Sequence, residues 1–297
     1  MNRISRRQFI KTTTAATGAF LSSAKLGHTG DDAPRGGSSA DLVPLGKTGV
    51  RVSRLAIGTG TVGFNKHSHQ TRLGQKKFTE LMRYAYDHGV RFFDLADQYG
   101  SHPFFVRAMK DGIPREKIVI NTKIWVGLSK EEGVKGALDR FRKELGTDYL
   151  DMVHLHCMMD SDWPRRLEKW MDDLEDAKQK KIIRAHGVSC HSLGALKAAA
   201  ESAWVDYIQP RINHVGNRMD AQPDVVVPVL KKAHASGKGI GGMKILGEGD
   251  ISDRREESMK FVLGLGCVDT LIIGFERKDE IDDIREKMAS ILQQLSG

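Results

Sequence analysis

Eight short apolar runs with strand character, separated by stretches of helical periodicity, constrain this chain more than any other feature. They are RLAIG (54–58), RFFDLA (91–96), KIVINTK (117–123), YLDMVHLH (149–156), IIRAHGVS (182–189), VDYIQ (205–209), GIGGMKIL (239–246) and DTLIIG (269–274). Between them Phe78, Leu81, Met82 and Ala85 recur at helical spacing, as do Val134, Leu138, Phe141 and Leu145. The same spacing holds for Leu167, Trp170, Leu174 and Ala177, and near the end for Ile281, Ile284, Met288 and Leu295. A helix between successive strands makes them run parallel, and eight such units without a long interruption predict an α/β fold, a (β/α)8 TIM barrel. The weakest helix is the short HPFFVRAMKDG after the second run. Ahead of the first run, LVPLGKTGVRVS reads as an N-terminal β-hairpin closing the bottom of the barrel.

A length of 297 residues with 40% hydrophobic side chains suits one large domain. Cys157, Cys190 and Cys267 are odd in number and lack CxxC spacing, so they suggest neither a disulfide framework nor a metal knuckle. The formal charge of +8 depends on the first 24 residues, which carry Arg3, Arg6, Arg7 and Lys11 and no acid. Without them 46 − 4 = 42 basic residues face 38 acidic ones, a surplus of +4 that is weak grounds for a nucleic-acid partner.

Residues 1–24 have the layout of an export signal: paired arginines, a modest apolar stretch through Phe20 and Leu21, then small residues up to Ala24. Ser5-Arg6-Arg7-Gln8-Phe9-Ile10-Lys11 resembles the twin-arginine motif, which implies passage of an already folded protein to the bacterial periplasm through the twin-arginine export machinery. The apolar stretch is too short, and too rich in threonine and glycine, for a permanent membrane span. Residues 25–40 read as a flexible linker, and 41–297 as the barrel.

Barrel chemistry gathers at the carboxyl ends of the strands. RFFDLADQYG places Asp94 at the end of the second strand and Tyr99 just beyond it; Lys123 ends the third and His156 the fourth. Four proton-handling side chains are thereby expected at one rim, whereas Asp97 reads as a solvated loop carboxylate.

These segments resemble the aldo-keto reductases. PLGKTGVRVSRLAIGTGT is similar to that family's opening hairpin and first strand, FFDLADQYG to its Asp-then-Tyr segment, INTKIW to its lysine strand and YLDMVHLHC to its histidine strand. GVSCHS, MKILGEG and IIGFERKDEIDDI resemble its later cofactor segments, so the likeness runs from about residue 42 to 294. It implies a catalytic tetrad of Asp94, Tyr99, Lys123 and His156 and a nicotinamide dinucleotide, NADP(H) rather than NAD(H), serving a small carbonyl substrate. Lys123 is expected to lower the phenol pKa of Tyr99, Asp94 to fix the lysine, and His156 to orient the carbonyl oxygen. For the cofactor, the resemblance points to Ser189 and Gln209 near the carboxamide, with Asn213 beside them, and to Gly58 and Thr59 at the first strand's rim. It places Lys244 and Gly247 by the pyrophosphate, and Gly274, Arg277 and Lys278 by the adenosine. Trp125 is expected to line the substrate pocket.

Cys190 replaces the family's usual asparagine, GMK (242–244) its commoner Tyr-Ser pair, and Glu276 and Asp283 stand where a 2′-phosphate would find them unfavourable. Two other readings remain open. One is a non-catalytic periplasmic nucleotide-binding or sensor protein on the reductase frame. The other is a metal-dependent barrel hydrolase using His154 and His156, two apart on one strand.

Overall fold

The computed structural model describes residues 37–297; the expected leader and the linker up to residue 36 lie outside the described residues. The last linker positions are folded. Ser39 is buried and its carbonyl accepts from the Leu55 amide at 2.9 Å, so packing begins before residue 41.

Strands β1 (Leu42–Pro44) and β2 (Arg51–Ser53) form the antiparallel hairpin. Eight parallel strands then close a barrel in chain order, with the last beside the first. They are β3 (Leu55–Gly58), β4 (Phe92–Asp94), β5 (Val119–Ile124), β6 (Leu150–Met158), β7 (Ile183–Cys190), β8 (Tyr207–Gln209), β9 (Gly239–Gly242) and β10 (Thr270–Gly274). The helices are α1 (His69–Arg72), α2 (Gly74–Asp87), α3 (His102–Lys110), α4 (Gly133–Leu145) and α5 (Trp163–Arg166). They continue with α6 (Glu168–Gln179), α7 (Leu193–Glu201), α8 (Pro223–Ala235), α9 (Arg255–Gly264) and α10 (Lys278–Ser296). The sequence HPFFVRAMKDG does form a helix, nine residues long, with a proline in its first turn where no amide partner is lost.

Three strands end at least two residues away from the sequence expectation. β4 stops at Asp94 because residues 97–99 wind into a 3-10 turn. β9 stops at Gly242, and the chain then turns with Lys244 in the left-handed region (φ 60°). β6 runs on to Met158, with a register shift after Leu155 where Cys157 is left-handed (φ 63°), a bulge at the rim. On α10, Leu295 is 46% exposed, and Ile291 and Leu292 fill the face expected for it.

The barrel interior has two halves. Below, Leu45, Val50 and Val52 from the hairpin pack with Ala56, Phe92, Val119, Met152 and Ile272 into an apolar floor. The hairpin can plug the bottom this closely because Gly46 is left-handed (φ 51°), and a Cβ there would stand 2.3 Å from the Gly239 amide nitrogen. Above the floor the inward residues become polar: Asp94, Asn121, Lys123, His154 and Gln209 are all buried.

Candidate active site

Buried charge requires partners, and Asp94 has a full set. Lys123 Nζ donates to both Asp94 carboxylate oxygens at 2.7 Å and to the Leu95 carbonyl at 2.8 Å. Asn121 Nδ2 and Gln209 Nε2 donate to Asp94 Oδ1 at 2.8 and 2.6 Å. Burial lowers the pKa of the Lys123 ammonium and the Asp94 carboxylate opposes it. The in-register pairing of β4, β5 and β6 aligns these groups.

Tyr99 ends the 3-10 turn Asp97–Tyr99, and left-handed Gly100 (φ 65°) sends the chain on toward α3. Its hydroxyl stands 3.5 Å from His156 Nε2, and the two rings meet edge to face at 5.5 Å. Lys123 Nζ lies 4.9 Å from the Tyr99 ring centre. The ring lies in a slot made by two glycines: a Cβ at Gly60 or Gly63 would stand 2.2 or 2.4 Å from it.

One electrostatic expectation is reversed. Burial, followed by the charges of Asp94, Cys157 and Glu248, holds the Tyr99 phenol well above its ordinary value. An ammonium has three protons, and Asp94 and Leu95 take all three from Lys123, so none is directed at the phenol. His156 is held well below the ordinary histidine value by burial and by the charge of Lys123, so it is neutral near pH 7. Its ring also meets Trp125 edge-on at 5.2 Å, and Trp125 meets Phe64 at 6.1 Å.

A cleft of about 820 Å³ opens from Tyr99 and Asp94 along β3, β9 and β10 to the start of α10. Its wall includes Gly58, Lys244, Gly274 and Arg277 among the expected cofactor residues. The others are engaged with protein groups. Ser189 Oγ accepts from the Cys157 amide at 2.8 Å, Gln209 holds Asp94, and Thr59 Oγ1 donates to the Asp94 carbonyl at 2.9 Å. Asn213 Nδ2 donates to the carbonyls of Asn217 and Lys244 at 2.7 and 3.1 Å. Gly247 packs against Asn217, and Lys278 Nζ lies 5.5 Å from the Tyr84 ring. The cleft cations are paired as well: Lys244 with Glu248, Arg255 with Asp283, and Arg277 with Asp279 and Glu280. Glycine-lined strand ends, room for a ligand of nucleotide size and exchangeable cations fit a dinucleotide laid along this wall.

Asp97 is not a solvated loop carboxylate. It is 4% exposed, takes two hydrogen bonds from Arg140 at 3.0 and 3.1 Å, and pairs with Lys66. Arg140 on the outer helix α4 carries no sequence signal that ties it to the rim. The glycines at 60 and 63 were visible in the sequence, but the ring they receive was not. His154 lies a layer deeper than His156, its ring 4.7 Å from that of Tyr207. Among the described residues no group of three His, Cys, Asp or Glu side chains is placed to hold a metal ion. Nor is any helix there long and apolar enough to cross a membrane.

The aldo/keto reductase family model matches residues 56–264. Methylglyoxal reductase DkgB of Salmonella typhi is 30% identical over 131 residues, 42% of this chain and 46% of that protein. Versiconal hemiacetal acetate reductase of Aspergillus parasiticus is 25% identical over 203 residues, 57% of this chain and 58% of that protein. The chain spans about half the length of the curated relatives it matches. Among solved structures, an aldo-keto reductase from Bacillus halodurans in its holo form superposes with a TM-score of 0.68 at 19% identity, covering 86% of this chain and 96% of that one. One from Klebsiella pneumoniae in complex with NADPH gives 0.65 at 18% identity, covering 86% and 93%. With the family model spanning most of the barrel, the chain belongs to the aldo/keto reductase family.

Proposed function

We propose that the protein is an NAD(P)-dependent oxidoreductase that moves a hydride between nicotinamide and a small carbonyl or alcohol, with Tyr99 as the general acid and base. One observation carries the reading: the Tyr99 hydroxyl lies 3.5 Å from neutral His156, above the Lys123–Asp94 pair, at the head of a nucleotide-sized cleft. When bound, the dinucleotide supplies the hydride. The chain's own residues handle the proton. Negative charge developing on the carbonyl oxygen is met by the Tyr99 phenol, which burial keeps protonated, and the proton passes from that hydroxyl to the oxygen. His156, 3.5 Å from that hydroxyl, orients the same oxygen. Lys123 acts on the phenolate left behind through its charge, while Asp94, Asn121 and Gln209 keep the ammonium in place. Trp125, Phe64, Leu128 and Met159 belong to the loops after β3, β5 and β6, and the last three are at least 60% exposed. Such a rim suits a carbonyl compound with an apolar body.

Of the two dinucleotides the proposal is NADP(H), supported by Arg255 and Arg277 on the cleft wall and by the NADPH and NADP in two Klebsiella pneumoniae relatives. Binding it would exchange the carboxylate partners of those arginines for phosphate. The proposed setting is the periplasm, reached by twin-arginine export with the nucleotide already loaded. Mass spectrometry of small molecules released from protein freshly purified from the periplasm tests both, since NADP(H) is the expected mass.

The reaction itself is tested by single-turnover hydride transfer to a panel of apolar aldehydes and ketones. Tyr99→Phe should reduce the rate by about 10²- to 10⁴-fold while nucleotide affinity is retained. Nucleotide binding with no turnover that depends on Tyr99 would replace the reductase by the sensor reading.

A further inference from the structure

Asp97 sits two residues before Tyr99 in the same 3-10 turn, yet it points away from the cleft into a charged cluster. Two groups of contacts meet on its carboxylate. Toward the barrel's outer layer, Arg140 grips both of its oxygens and also pairs with Glu132 at 2.7 Å and Glu144 at 3.3 Å. Glu144 in turn binds His102 Nδ1 at 2.7 Å, and His102 Nε2 meets Thr122 Oγ1 at 2.8 Å, next to Lys123 in the chain. Toward the rim, Lys66 pairs with Asp97, reaches its carbonyl at 3.1 Å, and donates its own amide to the Gln98 carbonyl at 2.8 Å. Lys66 ends the loop whose glycines, Gly60 and Gly63, form the slot for the Tyr99 ring. Asp97 therefore ties Tyr99's turn to the loop over its ring and to the helix that reaches Lys123's strand.

We infer that Asp97 and Arg140 form a positioning pair that sets the Tyr99 hydroxyl against His156 and Lys123. Stability alone does not call for ions here, since a buried ion pair can often be exchanged for apolar residues without loss. A bidentate guanidinium–carboxylate contact adds what apolar packing lacks, a fixed direction. The role in turnover rests on the proposed reaction, but the placement of the phenol can be read without it.

The test is spectrophotometric titration of Tyr99, taken as the difference between each protein and its Tyr99→Phe counterpart. Asp94, Lys123, His156, Cys157 and Glu248 surround the phenol and are unchanged in every variant. Asp97→Asn keeps the shape and loses the charge. Its phenol should titrate closer to the ordinary value of 10.0 than in the parent, with kcat lower by about 10- to 100-fold and nucleotide Kd unchanged. Arg140→Lys, which retains charge but not the fork, should fall between the two, and carries the test if Asp97→Asn does not fold. A phenol that titrates as in the parent in the folded variants overturns the inference, whatever happens to turnover. A shifted phenol in a protein that reduces nothing upholds the pair and removes the reductase reading instead.

Discussion

Lys123 is the side chain on which the site's electrostatics depend, because it is almost fully buried and all its protons are committed to Asp94 and Leu95. Removing one partner of such a pair leaves the other charge desolvated. Lys123→Met should therefore lower unfolding free energy by about 3–5 kcal/mol, measured by urea titration. The double variant Asp94→Asn/Lys123→Met should recover part of that loss, since no buried charge is then left unpaired; a double variant no more stable than the single one would show that the pair is not the source. The residue types of Asp94, Tyr99, Lys123 and His156 were legible because their chemistry is unusual at strand ends. The direction of the Tyr99 shift was not, because it depends first on how deeply the folded chain buries the phenol.

At the scale of elements, the hairpin is a plug as well as an N-terminal extension. Leu45 is fully buried in the floor, whereas Leu42 on the same hairpin is 46% exposed. Leu45→Ala should cost about 2–5 kcal/mol, because the rigid strand ends around it cannot collapse into the space it leaves. Leu42→Ala should change stability by less than about 0.5 kcal/mol. Equal denaturation midpoints for the two would mean that the hairpin does not support the barrel. The hairpin was legible from two apolar stretches around a glycine turn. The early ends of β4 and β9 were not, because Leu95–Ala96 and Met243–Leu246 are as apolar as a strand and leave the ladder only where tertiary contacts bend the chain.

For the whole molecule, pH dependence follows from four buried histidines, His102, His154, His156 and His186, and from the half-buried His191. Burial is the leading cause that holds His102, His154, His156, His186 and His191 below the ordinary 6.5, and His191 is pushed down to about 4. Each is neutral when folded but takes up a proton on unfolding once the pH is below 6.5. Their contribution is therefore complete above that value and is lost as pH falls through the folded values. Burial raises Asp220 and Asp269, and these two groups work the other way. Unfolding free energy should decline between about pH 6.5 and about pH 4, and His191→Asn should remove about 3 kcal/mol of that decline. A urea midpoint flat across the window would contradict neutral burial of these rings.

The chain by itself determined the barrel, because periodicity and strand count are local properties that each segment carries alone. It also determined which four side chains stand at the rim, since strand ends and reactive residue types coincide in the primary order. Tertiary structure decided the partnerships. Ser189, Gln209 and Asn213 are spent on protein hydrogen bonds, the cleft's cations are matched with carboxylates, and Asp97 is buried against Arg140, 43 residues further along. Those outcomes turn on distances between groups far apart in the chain, and a carboxylate's partner is fixed only when the strands and helices around it have closed.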